Sequence, residues 1–327
     1  MFNTYHKDQQ GIKTLCLLYT TYHSFLWDTI SREINQPNIT IINFSKRPLK
    51  IKSSANKTIE RSRETKISFL IKCLKIASKA KFSPYNLFIP HPDHLLGNTL
   101  FFNKNAKNIT IIEDGILNYY DYEASAEIKK TSKKRRLITY LTPFRYNTYT
   151  GHHSGIDSVP PRYLSGWFSN PEKIIKKENY SKINKIKFPE QKSKDHELYE
   201  KAVFLDQPIE KFLPPSKAKA LRESSIAFLE KSFQEVTVKA HPEHDQETLP
   251  IKNRSIYIFP PNTPIEEIIC ETQPIAIISY CSTALINSAL ISPRTRCISI
   301  GINIITEEIP TTSSIRNLFK EVGVEII

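Results

Sequence analysis

Glycine is scarce in this 327-residue chain, and that scarcity sets aside two large enzyme classes at once. The 8 glycines permit neither a G-x-G-x-x-G dinucleotide fingerprint nor a G-x-x-x-x-G-K-[ST] phosphate loop, so a nicotinamide dehydrogenase and a P-loop ATPase are excluded. Cysteine is sparse as well. Cys16, Cys73, Cys270, Cys281 and Cys297 are odd in number, far apart and mostly set in apolar segments such as Leu15-Cys16-Leu17, which reads as reduced thiols packed as small hydrophobes. There is no C-x-x-C, and a proline sits inside both H-x-x-H pairs, His91-Pro92-Asp93-His94 and His241-Pro242-Glu243-His244. Proline disfavours the two-histidine helical face of a zinc protease, and both pairs read as structural or non-metal. No run approaches eighteen apolar residues, and Met1 to Lys13 is polar and charged where a secretory signal is apolar. The expectation is a chain that neither spans a membrane nor leaves by a conventional signal.

Positive charge and aromatics are what the chain has in quantity. Lys and Arg number 46 against 33 Asp and Glu, for a formal charge of +13, and 17 Phe and 15 Tyr accompany a 39% hydrophobic content that can bury substantial cores. Basic clusters at Lys129-Lys130, Lys133 to Arg136 and Lys173 to Lys187 suit an anionic lipid, nucleic acid or glycolipid, or a merely solvated surface. A nucleic-acid-binding module is disfavoured because no RRM, KH, zinc-finger or helix-turn-helix signature is visible. A catalytically silent scaffold stays as a further alternative.

Hydrophobic periodicity alternates between strand and helix. Thr14 to Thr20 reads as a strand, Tyr22 to Ile34 as a helix, Asn38 to Phe44 as a strand and Ile59 to Ala80 as a helix with Ile67, Leu70, Ile71, Leu74 and Ala77 on one face. Tyr85 to Ile89 and Asn108 to Ile112 are further strands. From Tyr119 to about Lys194 the pattern fades, and the interdomain region is placed there. A second series follows: strands at Lys201 to Leu205, Glu235 to Ala240, Ser255 to Phe259, Ile275 to Ser279 and Cys297 to Ile300, with helices at Pro215 to Ser232, Pro264 to Cys270 and Thr283 to Leu290. Such alternation predicts parallel sheets in two α/β halves, residues 1–194 and 195–327. Both halves hold a strand leading to His-Pro, an echo given no weight.

In open α/β sheets ligands bind beyond the carboxyl ends of strands, so polar residues just after an apolar strand are informative. Glu113-Asp114-Gly115 follows NITII, His241-Pro242 follows VTVKA, and Ser282-Thr283 follows IAIISYC. Taken singly, Asp-Gly is a routine turn and Ser-Thr a routine helix cap.

The order and separation of these elements resemble the bacterial sialyltransferases built on the GT-B fold. IIEDGILNYY and the opening LLYTTYHSFL, with Thr21 inside a "TPYH"-like start, are similar to the lipooligosaccharide and capsule sialyltransferases of glycosyltransferase family 52. The resemblance implies two Rossmann-like α/β domains, an N-terminal acceptor side and a C-terminal nucleotide-sugar side, with the active site in the cleft between them. It implies inverting transfer of N-acetylneuraminic acid from CMP-Neu5Ac to a terminal galactose of a bacterial surface glycan, with α-2,3 linkage. Another GT-B transferase using a UDP-sugar is the first alternative. Asp114 is the expected base that deprotonates the acceptor hydroxyl, with Glu113 and Gly115 beside it and Asp206, at the end of VFLDQP, its rival. By the resemblance His241 assists the leaving phosphate; Pro242, Ser282 and Thr283 complete the donor site, and Glu266 or Glu267 meets the ribose. Ser282 and Thr283 would also place a helix N-terminus on the phosphate. Metal-dependent GT-A transferases hold a diphosphate through Asp-x-Asp, and none of the nine aspartates here lies two positions from another. No metal or cofactor is therefore expected. Peripheral contact with the anionic inner face of the plasma membrane and a possible homodimer complete these expectations.

Overall fold

A computed structural model describes residues 12–34, 38–45, 48, 57–123, 135, 137–189, 201–241, 250–254, 259 and 263–327. The chain divides into two compact units, Met1–Lys187 and Phe188–Ile327. The expected boundary at 194/195 and most of the predicted strand at 255–259 lie outside the described residues.

The first unit carries seven parallel strands: β1 Lys13–Leu18, β2 Ile39–Asn43, β3 Lys57–Glu60, β4 Tyr85–Ile89, β5 Ala106–Ile112, β6 Leu164–Phe168 and β7 Lys182–Lys185. Their order is β3-β2-β1-β4-β5-β6-β7. Leu15, Leu17 and Leu18 of β1 are buried together with Cys16, because a central parallel strand is covered on both faces and reads as a continuous apolar run. Cys16 stands opposite Ile41 on one side and Phe88 on the other. Helices α1 Thr21–Ile30, α2 Lys66–Ala80 and α3 Leu95–Phe101 connect the strands.

Several elements differ from the sequence reading. The predicted helix from Ile59 begins instead as strand β3, and α2 starts only where Thr65 caps it by accepting the Ser68 N–H. The stretch placed between domains contains β6 and β7 of the first sheet. Both are short, LSGWF inside the sheet and KINK at its edge, and the mixed exposure along KINK leaves no apolar run to read. α3 was hidden by its buried Gly97 and Asn98. A side chain at Gly97 would collide with the Tyr19 hydroxyl, so the helix approaches β1's end closely only without one.

The second unit holds β8 Ala202–Leu205, β9 Val236–Lys239, β10 Ala276–Ser279, β11 Arg296–Ser299 and β12 Glu325–Ile326, all parallel, in the order β12-β11-β10-β8-β9. Around them lie α4 Pro215–Ser232, α5 Ile265–Glu271, α6 Thr283–Ile291, α7 Ile302–Glu308 and α8 Ser313–Glu321. In each sheet the strand order reverses once, between β1 and β4 and between β10 and β8. Those reversals leave crevices at the strand carboxyl ends where ligands sit in such folds.

Candidate functional site

At the reversal of the first sheet, the ends of β1, β4 and β5 bring His23 and His91 to the Asp114 carboxylate, and His153, from the segment before β6, joins them. Asp114 follows β5, and Gly115 turns the chain at φ 66, letting Asn118 Oδ1 accept the Asp114 N–H at 2.6 Å. His23 Nε2 lies 3.0 Å from Asp114 Oδ1; His91 Nε2 and His153 Nε2 lie 3.6 and 3.4 Å from Oδ2. The carboxylate is only 16% exposed.

Backbone amides fix how two of these rings are protonated. His23 Nδ1 accepts the N–H groups of Tyr19 and Thr20 at 3.3 and 3.2 Å, and His91 Nδ1 accepts that of Asp93 at 3.2 Å. An amide can only donate, so both rings carry their proton on Nε2, aimed at Asp114. Thr20 and His23 also form the capping box of α1, with the histidine in the place usually held by Glu or Gln. Burial pushes His91 down to about 3, against the opposing pull of Asp114. Burial alone raises the Asp114 carboxyl, but His91, His153 and His23 outweigh it and hold the group well below the usual carboxylate range.

Glu113, the neighbouring acid, has a different task. It is fully buried and accepts from the hydroxyls of Tyr22 and Tyr119, both at 2.7 Å, and from the Ser169 N–H and hydroxyl at 2.6 and 3.1 Å. Burial raises its pKa while these four donors lower it, and a group that only accepts is an ionised one. It ties α1, β5 and the segment after β6 together under Asp114. Glu113→Gln places two N–H donors against these donors, and we expect a loss of about 2–4 kcal/mol of stability, read from urea unfolding.

His91, Asp114 and His153 offer ligand atoms all within 4.8 Å of one another, a spacing open to a divalent cation. The ring chemistry argues against one. Metal-bound histidine keeps its proton on the other nitrogen and donates it to an acceptor. His91 does the reverse, since its Nδ1 faces the Asp93 amide. His23 and His91 thus turn an N–H toward the carboxylate, and His23 makes the hydrogen bond to it.

In the second unit Asp206 follows β8 and is tied up: Arg222 Nη1 donates to its Oδ1 at 2.9 Å, and the Gln207 N–H does so at 2.9 Å. Gln207 spans the reversal between β8 and β10, donating to Cys281 O at 3.1 Å and accepting the Cys281 N–H at 2.8 Å. Ser282 caps α6 by accepting the Ala284 N–H at 3.2 Å, and Thr283 is the first helical residue. Glu266 is buried on α5 and accepts from Asn287 Nδ2 at 2.9 Å, whereas Glu267 is partly exposed. His241 lies just beyond β9; Pro242 lies outside the described residues. Thr21 opens α1, two residues before His23.

The structure thus brings Glu113, Asp114 and Gly115 to one place in the first unit, joined by His23, His91 and His153, which sequence reasoning did not select; Thr21 lies on the same helix as His23 and makes no hydrogen bond to Asp114. His23 had a signal in the TTYH capping box after β1. His91 carried one in the strand-to-His-Pro echo that was passed over.

Two doubly wound parallel sheets in sequence define the fold as two Rossmann-like domains of the GT-B type. The chain is similar in fold to UDP-GlcNAc 2-epimerase of Methanocaldococcus jannaschii, at 11% identity over 96% of this chain and 88% of that one, with a TM-score of 0.52. It is likewise similar to S. aureus MnaA, solved with UDP, at 7% identity over 88% of this chain and 78% of that one, with a TM-score of 0.50. No curated protein matches the sequence. The sequence profile of the alpha-2,8-polysialyltransferase (POLYST) family matches residues 5–300, and the chain belongs to that family of sialyltransferases.

Proposed function

We propose that the protein is an inverting sialyltransferase that moves N-acetylneuraminic acid from CMP-Neu5Ac to the end of a bacterial surface glycan, lipooligosaccharide or capsule, with Asp114 as the base. The observation that carries this reading is the carboxylate at a strand end with three imidazole nitrogens around it, in a chain of a sialyltransferase family. In an inverting transfer the acceptor hydroxyl attacks the sugar carbon as the bond to phosphate breaks, and its proton must leave to a nearby base. Asp114 is a weak base, and that suits a late proton transfer: the hydroxyl becomes strongly acidic only once its oxygen has bonded to the sugar. His23 and His91, with Nε2–H aimed inward, hold the carboxylate in one rotamer and keep it ionised.

The second unit supplies the donor side of the proposal. His241 donates to the departing phosphate, Ser282 and Thr283 present hydroxyls and the N-terminal end of the nine-residue α6, and Glu266 or Glu267 meets the ribose. Asp206 is a poorer base than Asp114 because Arg222 and the Gln207 amide already use its Oδ1. Turnover needs no metal in this scheme, so EDTA leaves the rate unchanged.

The acceptor separates two finer readings. The family 52 resemblance favours α-2,3 transfer to terminal galactose; the POLYST match favours α-2,8 transfer to terminal sialic acid. A lactose-type and a sialyllactose-type acceptor assayed side by side tell them apart. For the donor, calorimetric titration with CMP and UDP, without metal, is the direct test. We expect CMP to bind, and His241→Ala to weaken it at least tenfold, about the loss of one charge-assisted hydrogen bond. UDP binding without CMP binding moves the protein to a UDP-sugar donor, and binding of neither overturns the transferase reading.

A further inference from the structure

Helix α2 turns the wrong side outward for an ordinary surface helix. Phe69, Cys73, Ile76, Ala77 and Ala80 form its buried face, which leaves Ile67, Leu70 and Ile71 exposed by 72, 50 and 45%. The apolar stripe read from sequence is therefore split: Ala77 packs inward, Leu74 is half-buried, and the first three residues face water. Phe82, just past the helix, is 85% exposed. A second set lies at 137–141, where Leu137, Tyr140 and Leu141 are exposed by 69, 84 and 90%. Twelve large hydrophobic side chains are exposed among the described residues, and eight of them fall in these two short stretches. Singly scattered apolar residues need no explanation, but two such concentrations do.

Charge selects the partner. The sequence of α2, KISFLIKCLKIASKA, has four lysines and no acid. Lys66, Lys75 and Lys79 are exposed, while Lys72 pairs with Glu64 at 2.6 Å. Exposed apolar side chains among lysines suit the boundary of an anionic bilayer, where the chains insert and the ammonium groups meet phosphate. Among the described residues no helix is long and apolar enough to cross a membrane.

Both stretches are anchored to the loop that carries His91. Arg135 donates to the Asp93 carbonyl and carboxylate. Phe69 of α2 packs edge-on against Phe44 at 5.4 Å, and Phe44 lies 4.4 Å from the His94 ring. His91, two residues before Asp93, faces Asp114.

We infer that the outward face of α2 and the 137–141 segment together form a docking surface for an anionic phospholipid bilayer. This differs from attraction by the basic clusters alone, since apolar insertion supplies part of the binding. The docking itself does not depend on the catalytic reading. Where that reading also holds, the surface sets the loop that carries His91, and Asp114 facing it, toward lipid-linked acceptors.

Vesicle co-sedimentation of the full chain tests it, using phosphatidylcholine with about 30 mol% phosphatidylglycerol against phosphatidylcholine alone. Wild type is expected to sediment with the anionic vesicles only. The pair Ile67→Asp with Leu70→Asp, and separately Tyr140→Asp with Leu141→Asp, should each lower partitioning at least tenfold. Lys66→Glu with Lys75→Glu should do so too, each lysine counting for about fivefold. All six positions are exposed, so unchanged melting curves and unchanged turnover of a water-soluble acceptor certify the fold. Failure of wild type to bind, or binding unaltered by the aspartate pairs, overturns the inference and leaves the roles of Asp114 and His241 untouched. A wild-type dimer that becomes monomeric with Ile67→Asp and Leu70→Asp, and does not bind vesicles, assigns the face to a second copy and overturns it as well.

Discussion

Asp114→Asn is expected to lower turnover by about 10²–10⁴-fold, the range over which a positioned base acts, while CMP affinity stays within twofold of wild type. The two halves of that expectation come from different parts of the chain. The carboxylate sits at the end of β5, whereas the residues proposed for the donor lie just beyond β9, on α5, and at the start of α6. The amide keeps the size of the carboxylate but has one acceptor oxygen and two N–H donors. His23 and His91 are unable to switch tautomer in response, because backbone amides occupy their Nδ1 atoms. An N–H of the substituted side-chain amide must then face an imidazole N–H, and some loss of stability accompanies the loss of rate. The measurement is kcat with a soluble acceptor beside a CMP titration on the same preparation. Turnover within threefold of wild type would remove Asp114 as the base and return Asp206 to consideration. Loss of CMP binding together with rate would mean that the variant has lost more than a proton acceptor.

The two-part α/β organisation was legible because buried parallel strands are apolar along their whole length. NITII, TLCLL and IAIIS stand out against any neighbouring sequence, and Tyr85–Ile89 and Pro215–Ser232 fall where the pattern puts them. Illegibility had two physical sources. Outer strands such as β7 carry polar residues on their open side, so KINK looks like a loop. Helix α2 is apolar on two faces, and periodicity alone offers no way to choose which one packs inward.

The site was legible by the same rule and only to the same depth. Asp114 could be found because it ends a strand. Its three histidines lie 91, 23 and 39 positions away in sequence, and only the side-by-side placement of β1, β4 and β5 brings two of them near. The acid pair Glu113-Asp114 looks interchangeable in sequence. Strand geometry separates it, since successive side chains point to opposite sides: Glu113 is pulled into a shell of four donors, and Asp114 remains 16% open.

The first unit is expected to lose stability steeply as pH falls from about 6.5 to 4.5. Burial holds His91 down at about 3 and His94 at about 4, against 6.5 for a free histidine, and His152 is lowered as well. With folded values below the unfolded one, the unfolded chain takes up protons that the folded chain refuses. Stability is then whole above about pH 6.5 and is lost on acidification, with a slope of about 1.4 kcal/mol per pH unit for each histidine, or roughly 2.7 for His91 and His94 together. The fall continues until the folded state itself protonates near 4 and below. Asp114, depressed by its neighbours, adds a loss of the same sign once pH drops through the ordinary carboxylate range. Glu113, raised by burial, works in the opposite direction, stabilising the fold on acidification, but it is one group against several. Both tryptophans, Trp27 and Trp167, belong to the first unit, so their fluorescence during urea unfolding follows this unit by itself. Midpoints measured between pH 7.5 and 4.5 should fall with pH, and His94→Gln should remove one histidine's share of the slope, about 1.4 kcal/mol per pH unit, whatever its effect at neutral pH. A midpoint that stays level across this range would show that His91 and His94 take up protons in the folded state, and that His91 faces Asp114 as imidazolium rather than as a neutral ring.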